Sequence, residues 1–273
     1  MAPVELKLGD RGDEVRSAQE LMNRIGMLLE ADGVFGKGTE AAVRDTQSIG
    51  KLPVTGRFDE ATRTWLRAQP EPSPVIATRA VVFIVKEEIG SRSYYASRAA
   101  RPTYPGGQSG ITIGVGYDLR FQTAEGFNAD WGAVLTQTQL DALTPFVGRQ
   151  GSDDAARVLS ALTIPWQTAW TVFIQRLLPN YVARTRDAFP GFDLLTGLQR
   201  GVLVSLVYNR GAKMTGDDRK EMRDIRDAVG TGNLTLVPDA ILSMKRLWPD
   251  SEGLRQRRDR EAALFREGLQ ARA

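Results

Sequence analysis

The sequence predicts a mostly α-helical α+β protein of two domains. Three observations predict it: an internal repeat near the N-terminus, a proline-rich segment after it, and one glycine-containing apolar alternation typical of a small β-hairpin. The expected organisation is a small helical bundle at residues 1–69, a linker at 70–78 and a larger domain at 79–273. The linker contains three prolines, which remove backbone donors and favour an extended, semi-rigid geometry.

The internal repeat consists of residues 32–43 and residues 55–66, in which Gly, Phe, Thr and an aliphatic residue recur in the same order. In the first copy, Gly33 permits a tight turn, Phe35 is expected to fill the core, and Thr39 lies near a helix start. Each copy is therefore predicted to be a loop followed by a helix.

A further helix is predicted upstream of the repeat. Apolar residues from Val15 to Ile25 follow 3.6-residue spacing, with Gly12 or Asp13 as a cap and Gly26 as the end. The N-terminal bundle should therefore contain three small helices.

The composition restricts the chemistry that the chain can perform. Its 273 residues include no cysteine and no histidine. This excludes hydrolases that hold zinc through imidazole or thiolate ligands, and hydrolases built on a Cys–His or Ser–His couple. Acid–base work is left to carboxylates, supported by Lys, Tyr and water. We expect no metal and no cofactor.

Charge and hydropathy further limit the partners. A formal net charge of +3 and a sequence pI of about 9.2 predict mild attraction to polyanions, without the basic stripe of a nucleic-acid-binding protein. No apolar run is long enough to span a membrane, and residues 1–10 lack the regions of a secretory signal. We therefore expect a monomer that is made in the cytoplasm and has no nucleic-acid partner.

The larger domain opens with an apolar run at residues 79–90 that contains two adjacent acidic residues. Periodicity alone leaves a strand or a buried helix open, and we interpret the run as a helix with Gly90 near its C-cap. A carboxylate in the last turn feels the negative end of the helix dipole, and partial burial would further disfavour its charge. Glu88 would then suit the role of general acid, with Glu87 as the alternative.

The predicted hairpin lies at residues 111–118, where apolar side chains alternate with Thr112, two glycines and Asp118. In one continuous strand, Thr112 and Asp118 would lie about 20 Å apart, because each of six residues rises roughly 3.3 Å. Gly114 and Gly116 permit a tight turn that would fold Asp118 back beside Thr112. We predict that these two residues face each other across a hairpin.

Residues 5–68 resemble the peptidoglycan-binding type 1 module, a three-helix bundle that holds wall-degrading enzymes on their polymer. The shared positions are Leu8, Gly9, Gly12, Val15, Gln19, Leu21, Asn23, Asp32 to Gly36, Thr39, Ala42, Val43, Gln47, Thr55 and Gly56. Departures are Ala18, where Leu is usual, and Thr46, where an aromatic residue is usual.

This resemblance implies that bacterial peptidoglycan is a partner. Within the module, the residues assigned to wall binding are Asp32, Gly33, Phe35 and Thr39. The alternative is that such residues only build the bundle, and it applies most directly to Phe35 and to its repeat partner Phe58.

Most of residues 79–268 resemble the phage-type lysozyme family, in its pesticin-like form. The resemblance depends on Glu88, on Tyr95 seven residues later, and on the string from Thr112 to Asp118. It extends to the apolar run 198–211, which indicates a buried central helix, and to the closing run 244–261. It implies a domain with a small β-hairpin lobe and a helical lobe.

The same resemblance implies hydrolysis of the β-1,4 bond between N-acetylmuramic acid and N-acetylglucosamine. Glu88 would protonate the leaving oxygen, while Asp118 with Thr112 would activate water on the opposite sugar face, which implies inversion. Many family members place the aspartate between the glutamate and the threonine. Here no acidic residue lies between positions 89 and 117. The family also assigns substrate binding to Tyr117, Asn209 and Trp248.

Together, the two resemblances imply a phage endolysin that reaches host peptidoglycan in the periplasm after the membrane is permeabilised. Two alternatives remain: a lytic transglycosylase, which uses one catalytic glutamate and no water, and a wall-binding protein without activity. Asp118 could instead cap a turn, Thr112 could be an ordinary strand residue, and Asn209 and Trp248 could be packing residues.

Four arginines near the C-terminus alternate with acidic residues. They are Arg255, Arg257, Arg258 and Arg260. The default interpretation is a solvated helix face with ion pairs. Binding of an anionic outer-membrane lipid is the alternative.

Overall fold

In the computed structural model, residues 5–270 are described and are mostly helical, as predicted. The helices are α1 (Asp13–Asn23), α2 (Lys37–Ile49), α3 (Glu60–Arg67), α4 (Thr78–Ile89), α5 (Arg92–Tyr94), α6 (Ala124–Trp131), α7 (Gln137–Leu143), α8 (Asp153–Val158), α9 (Trp166–Val172), α10 (Leu178–Ala188), α11 (Gly197–Arg210), α12 (Lys220–Thr231), α13 (Val237–Ser243) and α14 (Glu252–Gln270). The first four residues of the segment examined for a secretory signal lie outside the described residues.

The only sheet in the described part of the chain has two antiparallel strands, β1 (Thr112–Ile113) and β2 (Tyr117–Asp118). Short 3-10 turns lie at Leu119–Phe121, Thr144–Phe146, Phe192–Leu194, Asp217–Arg219, Leu234–Leu236 and Met244–Leu247, and π-helical segments at Tyr95–Ala99 and Phe173–Leu177. Within residues 5–270, no helix combines the length and the apolar character needed to cross a membrane.

The three predicted N-terminal helices are present as α1, α2 and α3, and they pack around one apolar core. Phe35 and Phe58 are 1% and 0% exposed in that core. Gly33 and Gly56 have φ values of 74° and 77°, in the left-handed region that favours glycine. The repeat is therefore two turns, each with a buried phenylalanine.

A buried glutamine braces the first turn of the repeat. The Oε1 atom of Gln19 accepts a hydrogen bond from the Gly33 amide at 2.9 Å, and its Nε2 atom donates to Asp32 Oδ1 at 2.8 Å and to Thr39 Oγ1 at 3.2 Å. The bond from Gln19 lowers the pKa of Asp32. Because the side chain is 1% exposed, these bonds form away from water.

The second turn is braced in the same way by Gln47. Its Oε1 atom accepts from the amides of Thr55 and Gly56 at 2.9 and 3.0 Å, and its Nε2 atom donates to the hydroxyls of Thr55 and Thr62 at 3.1 Å each. The glutamines that the resemblance included therefore hold the loops against the helices.

The described chain divides into two compact units that differ from the predicted domains. Residues 5–72 and 88–177 form the first unit, and residues 73–87 and 178–270 form the second. The N-terminal bundle thus belongs to the same unit as the segment that contains the hairpin.

Specific contacts within the first unit account for this grouping. The indole Nε1 of Trp166 donates to the Gly26 carbonyl at 2.8 Å, and Arg92 Nη1 lies 2.8 Å from Asp45 Oδ2. A Cβ atom at Gly26 would lie only 2.6 Å from the ring of Trp170. The bundle is therefore fitted closely against residues 92–170.

The predicted linker is anchored near both of its ends. In the first unit, Glu71 forms an ion pair with Arg24. In the second unit, Ser73 Oγ accepts from the amides of Val75 and Ile76 at 3.1 and 3.2 Å, and Arg200 Nη1 donates to the Val75 carbonyl at 3.2 Å. These bonds add to the stiffness that its prolines provide.

The second unit is organised around α11, which is the buried central helix predicted from its apolar run. Residues 201–207 of α11 are all buried, and the helix packs against α10 and α14. Gly201 permits the closest approach, because a Cβ atom there would lie 2.1 Å from that of Ala80.

The glutamine brace generates a first prediction. Gln19→Met should lower the free energy of unfolding by about 2 kcal/mol, because it leaves the buried Gly33 amide without its acceptor. Urea denaturation of the full chain measures this change. The control Gln256→Met alters an exposed glutamine and should have little effect on the free energy of unfolding. An equal decrease in both variants would contradict the stabilising role assigned to the Gln19 hydrogen bonds.

A second prediction concerns Thr46, one of the two departures from the module. Its hydroxyl is 0% exposed and has no hydrogen-bond partner among residues 5–270. Thr46→Val keeps the shape and removes the unpaired oxygen, so it should raise the free energy of unfolding by about 1 kcal/mol. Thr64→Val, at an exposed position of α3, is the control. Destabilisation by Thr46→Val would show that the hydroxyl is satisfied.

Candidate active site

The helix predicted to carry the acidic pair is α4, which ends at Ile89. Glu88 lies in its last turn, and Gly90 follows with a φ of 68°. The Glu88 side chain is exposed, so the partial burial that would further disfavour its charge is not found. The predicted position of Glu88 at the negative end of the helix dipole, which disfavours a charged carboxylate, is observed.

The neighbouring Glu87 is engaged in the second unit. Arg260 donates from Nε and Nη2 to its two carboxylate oxygens at 2.6 and 2.9 Å, and the side chain is 10% exposed. This two-bond pair uses both oxygens. Glu87 is therefore placed as a structural partner of α14.

The hairpin pairs Thr112 directly with Asp118 and Ile113 with Tyr117, as the glycine spacing predicted. Gly114 and Gly116 have φ values of 59° and 70°, which the turn requires. The alternating apolar residues are all buried, whereas Thr112 and Asp118 are both partly exposed.

The hydrogen-bond pattern places Thr112 and Asp118 close together. The amide and carbonyl of Thr112 are both used by Thr103, at 2.8 and 3.0 Å, while the Leu119 amide donates to the Ile111 carbonyl at 2.9 Å. Thr112 and Asp118 therefore form a non-hydrogen-bonded pair, in which Cα atoms lie about 4.5 Å apart and side chains share one face.

The Asp118 carboxylate is fixed through one of its oxygens. Oδ1 accepts from the amides of Gly110 and Arg120, each at 2.9 Å. A Cβ atom at Gly110 would lie 2.7 Å from Oδ1, so only glycine permits this approach. Within the described chain, Oδ2 and the Thr112 hydroxyl have no hydrogen-bond partner. Two oxygens on one face are thus available to a water molecule.

Asp118 also has the capping role that was the alternative interpretation. Its side chain caps the 3-10 turn Leu119–Phe121 through the Arg120 amide. This role uses Oδ1 alone, so capping and a catalytic role are compatible.

Tyr117 was predicted to contact substrate, and the structure places it in the core. It is 3% exposed, its hydroxyl donates to Asp130 Oδ2 at 2.9 Å, and its ring meets the edge of Trp131 at 5.4 Å. Burial, followed by the bond to Asp130, raises the pKa of Tyr117. Because side chains alternate along the strand, Tyr117 lies on the buried face of the hairpin, opposite to the face that carries Asp118.

Tyr95 is also buried. Its hydroxyl donates to the Ile164 carbonyl at 2.9 Å, and the ring is 1% exposed. Burial raises the pKa of Tyr95. Both tyrosines that contributed to the resemblance are therefore packing residues.

Asn209 and Trp248 lie in the second unit, within a cluster of arginines. Asn209 Oδ1 accepts from Arg258 Nη2 at 3.1 Å, and the guanidinium groups of Arg210 and Arg258 lie 4.9 and 5.4 Å from the Trp248 ring. The cation–π contacts account for the position of Trp248, and the hydrogen bond from Arg258 accounts for that of Asn209. Burial, followed by repulsion from Arg219 and Arg258, lowers the pKa of Arg210 to about 10.

Two of the four C-terminal arginines are not on the exposed face that was predicted. Arg257 and Arg258 are 4% and 0% exposed, and both pair with the buried Glu261 at 3.2 and 2.9 Å. Arg260 pairs with Glu87. Arg255 pairs with Glu252, and because the Arg255 and Arg260 side chains are 41% and 49% exposed, these two pairs match the solvated ion pairs that were predicted.

Three of the four residues predicted to bind the wall lie inside the module. Gly33, Phe35 and Thr39 are buried, and only Asp32 is exposed. Phe35 therefore has the core role that was the alternative. Among the described residues, no group of three or more acidic side chains could hold a metal ion.

Sequence reasoning did not identify three residues that shape the candidate site. Gly110 leaves space for the Asp118 carboxylate and donates a hydrogen bond to it. Thr103 forms backbone hydrogen bonds with Thr112 of β1, and Asp130 accepts a hydrogen bond from the Tyr117 hydroxyl. Gly110 could have been recognised from the sequence, because it directly precedes the alternating run. Thr103 and Asp130 lie outside that run, and no sequence pattern connects them to it.

Comparison with known proteins gives one family match. Residues 11–66 match a family model described as "Putative peptidoglycan binding domain". The match confirms the resemblance of the N-terminal segment to such a module. It spans about a fifth of the chain, so it concerns this segment and not the larger domain.

The comparison with solved structures gives the crystal structure of the Burkholderia AP3 phage endolysin, at 16% identity and a TM-score of 0.24. The alignment covers 99% of this chain and 100% of the other. No curated protein matches the chain.

Proposed function

We propose that this chain is a peptidoglycan-degrading enzyme of the phage endolysin type. The N-terminal module binds the polymer, and the larger domain hydrolyses the β-1,4 bond between N-acetylmuramic acid and N-acetylglucosamine. The observation that carries the hydrolytic part is the pairing of Thr112 with Asp118, which leaves two oxygens available on one face of the hairpin. The module match supports peptidoglycan as the substrate.

In the proposed reaction, Glu88 donates a proton to the glycosidic oxygen as the bond from that oxygen to C1 breaks. Its exposed position at the end of α4 leaves the carboxyl accessible to a polymer. Glu87 is disfavoured for this role, because Arg260 uses both of its oxygens.

Water completes the reaction from the opposite sugar face. The Thr112 hydroxyl and Asp118 Oδ2 orient a water molecule, whose oxygen bonds to C1 while its proton passes to Asp118. Glu88 then regains a proton and Asp118 releases one to solvent. Such a reaction inverts C1 and requires about 6.5–9.5 Å between the two carboxyl groups.

Product analysis tests the proposed reaction directly. Digestion of purified peptidoglycan in oxygen-18 water should give reducing ends that carry the heavy oxygen at C1, initially with inverted configuration. Mass spectrometry and proton NMR measure these features. Products ending in 1,6-anhydromuramic acid would instead identify a lytic transglycosylase, and no cleavage would leave a binding role alone.

A third prediction separates the two glutamates of α4. Glu88→Gln should lower the rate of reducing-sugar release by about 100-fold or more, because the proton donor is lost. Glu87→Gln is the matched control and should keep most of the activity. The reverse order would assign the acid to Glu87, and equal activity in both variants would contradict a catalytic glutamate on α4.

A fourth prediction separates catalysis by Asp118 from capping. Asp118→Asn keeps an Oδ1 acceptor for both amides, so the melting temperature should change by no more than about 2 °C, whereas activity should fall by about 100-fold or more. Asp118→Ala also removes the cap and should cost about 1 kcal/mol of stability. Full activity of a stable Asp118→Asn variant would show that Asp118 only caps the turn.

A further inference from the structure

The 3-10 turn that follows Asp118 presents an aromatic ring to solvent. Phe121 is 70% exposed. The chain has ten phenylalanines, all within the described residues, and Phe121 alone among them is exposed. Burial of a phenylalanine side chain stabilises a folded protein, and Phe121 does not contribute in this way.

The ring is held in a defined place relative to the candidate catalytic carboxylate. Asp118 Oδ1 accepts the Arg120 amide at 2.9 Å, and Gln122 Nε2 donates to the Asp118 carbonyl at 3.1 Å. Phe121 lies between these two bonded residues. Any group that packs on the ring is therefore positioned by the same turn that orients Asp118.

A cation accompanies the ring. The Arg120 guanidinium lies 5.7 Å from the centroid of Phe121, and Gln108 Oε1 accepts from its Nη1 at 2.9 Å. Nε and Nη2 of Arg120 have no partner among residues 5–270. The turn thus offers an apolar face beside two unused guanidinium donors.

We propose that Phe121 and Arg120 form a subsite for the N-acetylmuramoyl unit of the polymer. The apolar C–H face of the sugar packs on the Phe121 ring, and a carboxylate of the peptide attached to the muramoyl unit pairs with Arg120. This inference rests on the proposed function for its substrate class. The positive net charge of the chain agrees with an anionic ligand.

Other exposed apolar side chains provide a matched comparison. Val158 is 76% exposed and also lies in the first unit, but it has no ring face, and the guanidinium of its neighbour Arg157 forms an ion pair with Asp154. Its truncation removes exposed apolar surface without affecting the proposed subsite.

The kinetic test uses the full chain and purified peptidoglycan. Phe121→Ala should lower kcat/KM by about tenfold, mainly through KM, with an unchanged melting temperature, and Phe121→Tyr should restore most of the loss. Val158→Ala should leave kcat/KM unchanged. Equal effects of Phe121→Ala and Val158→Ala would overturn the subsite.

A binding test keeps this inference separate from the proposed reaction. The full-length Glu88→Gln protein is labelled with 4-fluorophenylalanine, and the Phe121 resonance is identified by its loss in Phe121→Leu. Addition of the disaccharide tetrapeptide N-acetylglucosaminyl-N-acetylmuramoyl peptide should shift this resonance, and chitobiose, which lacks carboxylates, should bind more weakly. Arg120→Gln should remove that difference.

The two tests give distinct outcomes. A shift at Phe121 in a protein that never cleaves peptidoglycan would contradict the proposed reaction and retain the subsite. Cleavage without a shift, and with unchanged Phe121→Ala kinetics, would overturn the subsite alone. If neither is seen, both proposals fail.

Discussion

The Asp118 carboxylate is the group on which the candidate site depends, because its two oxygens have different environments. Oδ1 receives two backbone amides, one from the residue before the hairpin and one from the turn after it. These bonds connect three consecutive segments of chain and fix the plane of the carboxylate. Oδ2 can then face water in one defined direction, beside the Thr112 hydroxyl. Gly110, Gly114 and Gly116 are needed for that arrangement, the first for space and the others for backbone conformation.

Local patterns in the sequence were sufficient to predict the hairpin and the end of α4. Alternation, two glycines and a fixed separation determine how Thr112 meets Asp118, and all three properties can be read from adjacent residues. The surroundings of individual side chains could not be read in this way. The place of Glu88 in α4 did not reveal that it is exposed. No local pattern connects the hairpin to Asp130 and Trp131, which contact the buried Tyr117.

The predicted domain boundaries differ from the observed units for the same reason. Proline content predicted a stiff linker, but composition carries no information about which surfaces meet. The contact of Gly26 with Trp166 and Trp170 joins positions about 140 residues apart. Likewise, the charge pattern of α14 predicted solvated ion pairs, whereas Arg258 and Glu261 are fully buried. Alternating charge on a helix does not reveal whether the pairs face solvent or the core.

The fit between the bundle and residues 92–170 has a consequence for domain shuffling. Exchanging the bundle for another three-helix module would remove the contacts that it makes with residues 92–170. It would also leave the Trp166 indole and the Arg92 guanidinium facing a surface that lacks the Gly26 carbonyl and Asp45, with any larger residue at position 26 colliding with Trp170. A chimera would therefore need a graft of residues 25–27 and 45, so the first 72 residues are not an interchangeable cassette.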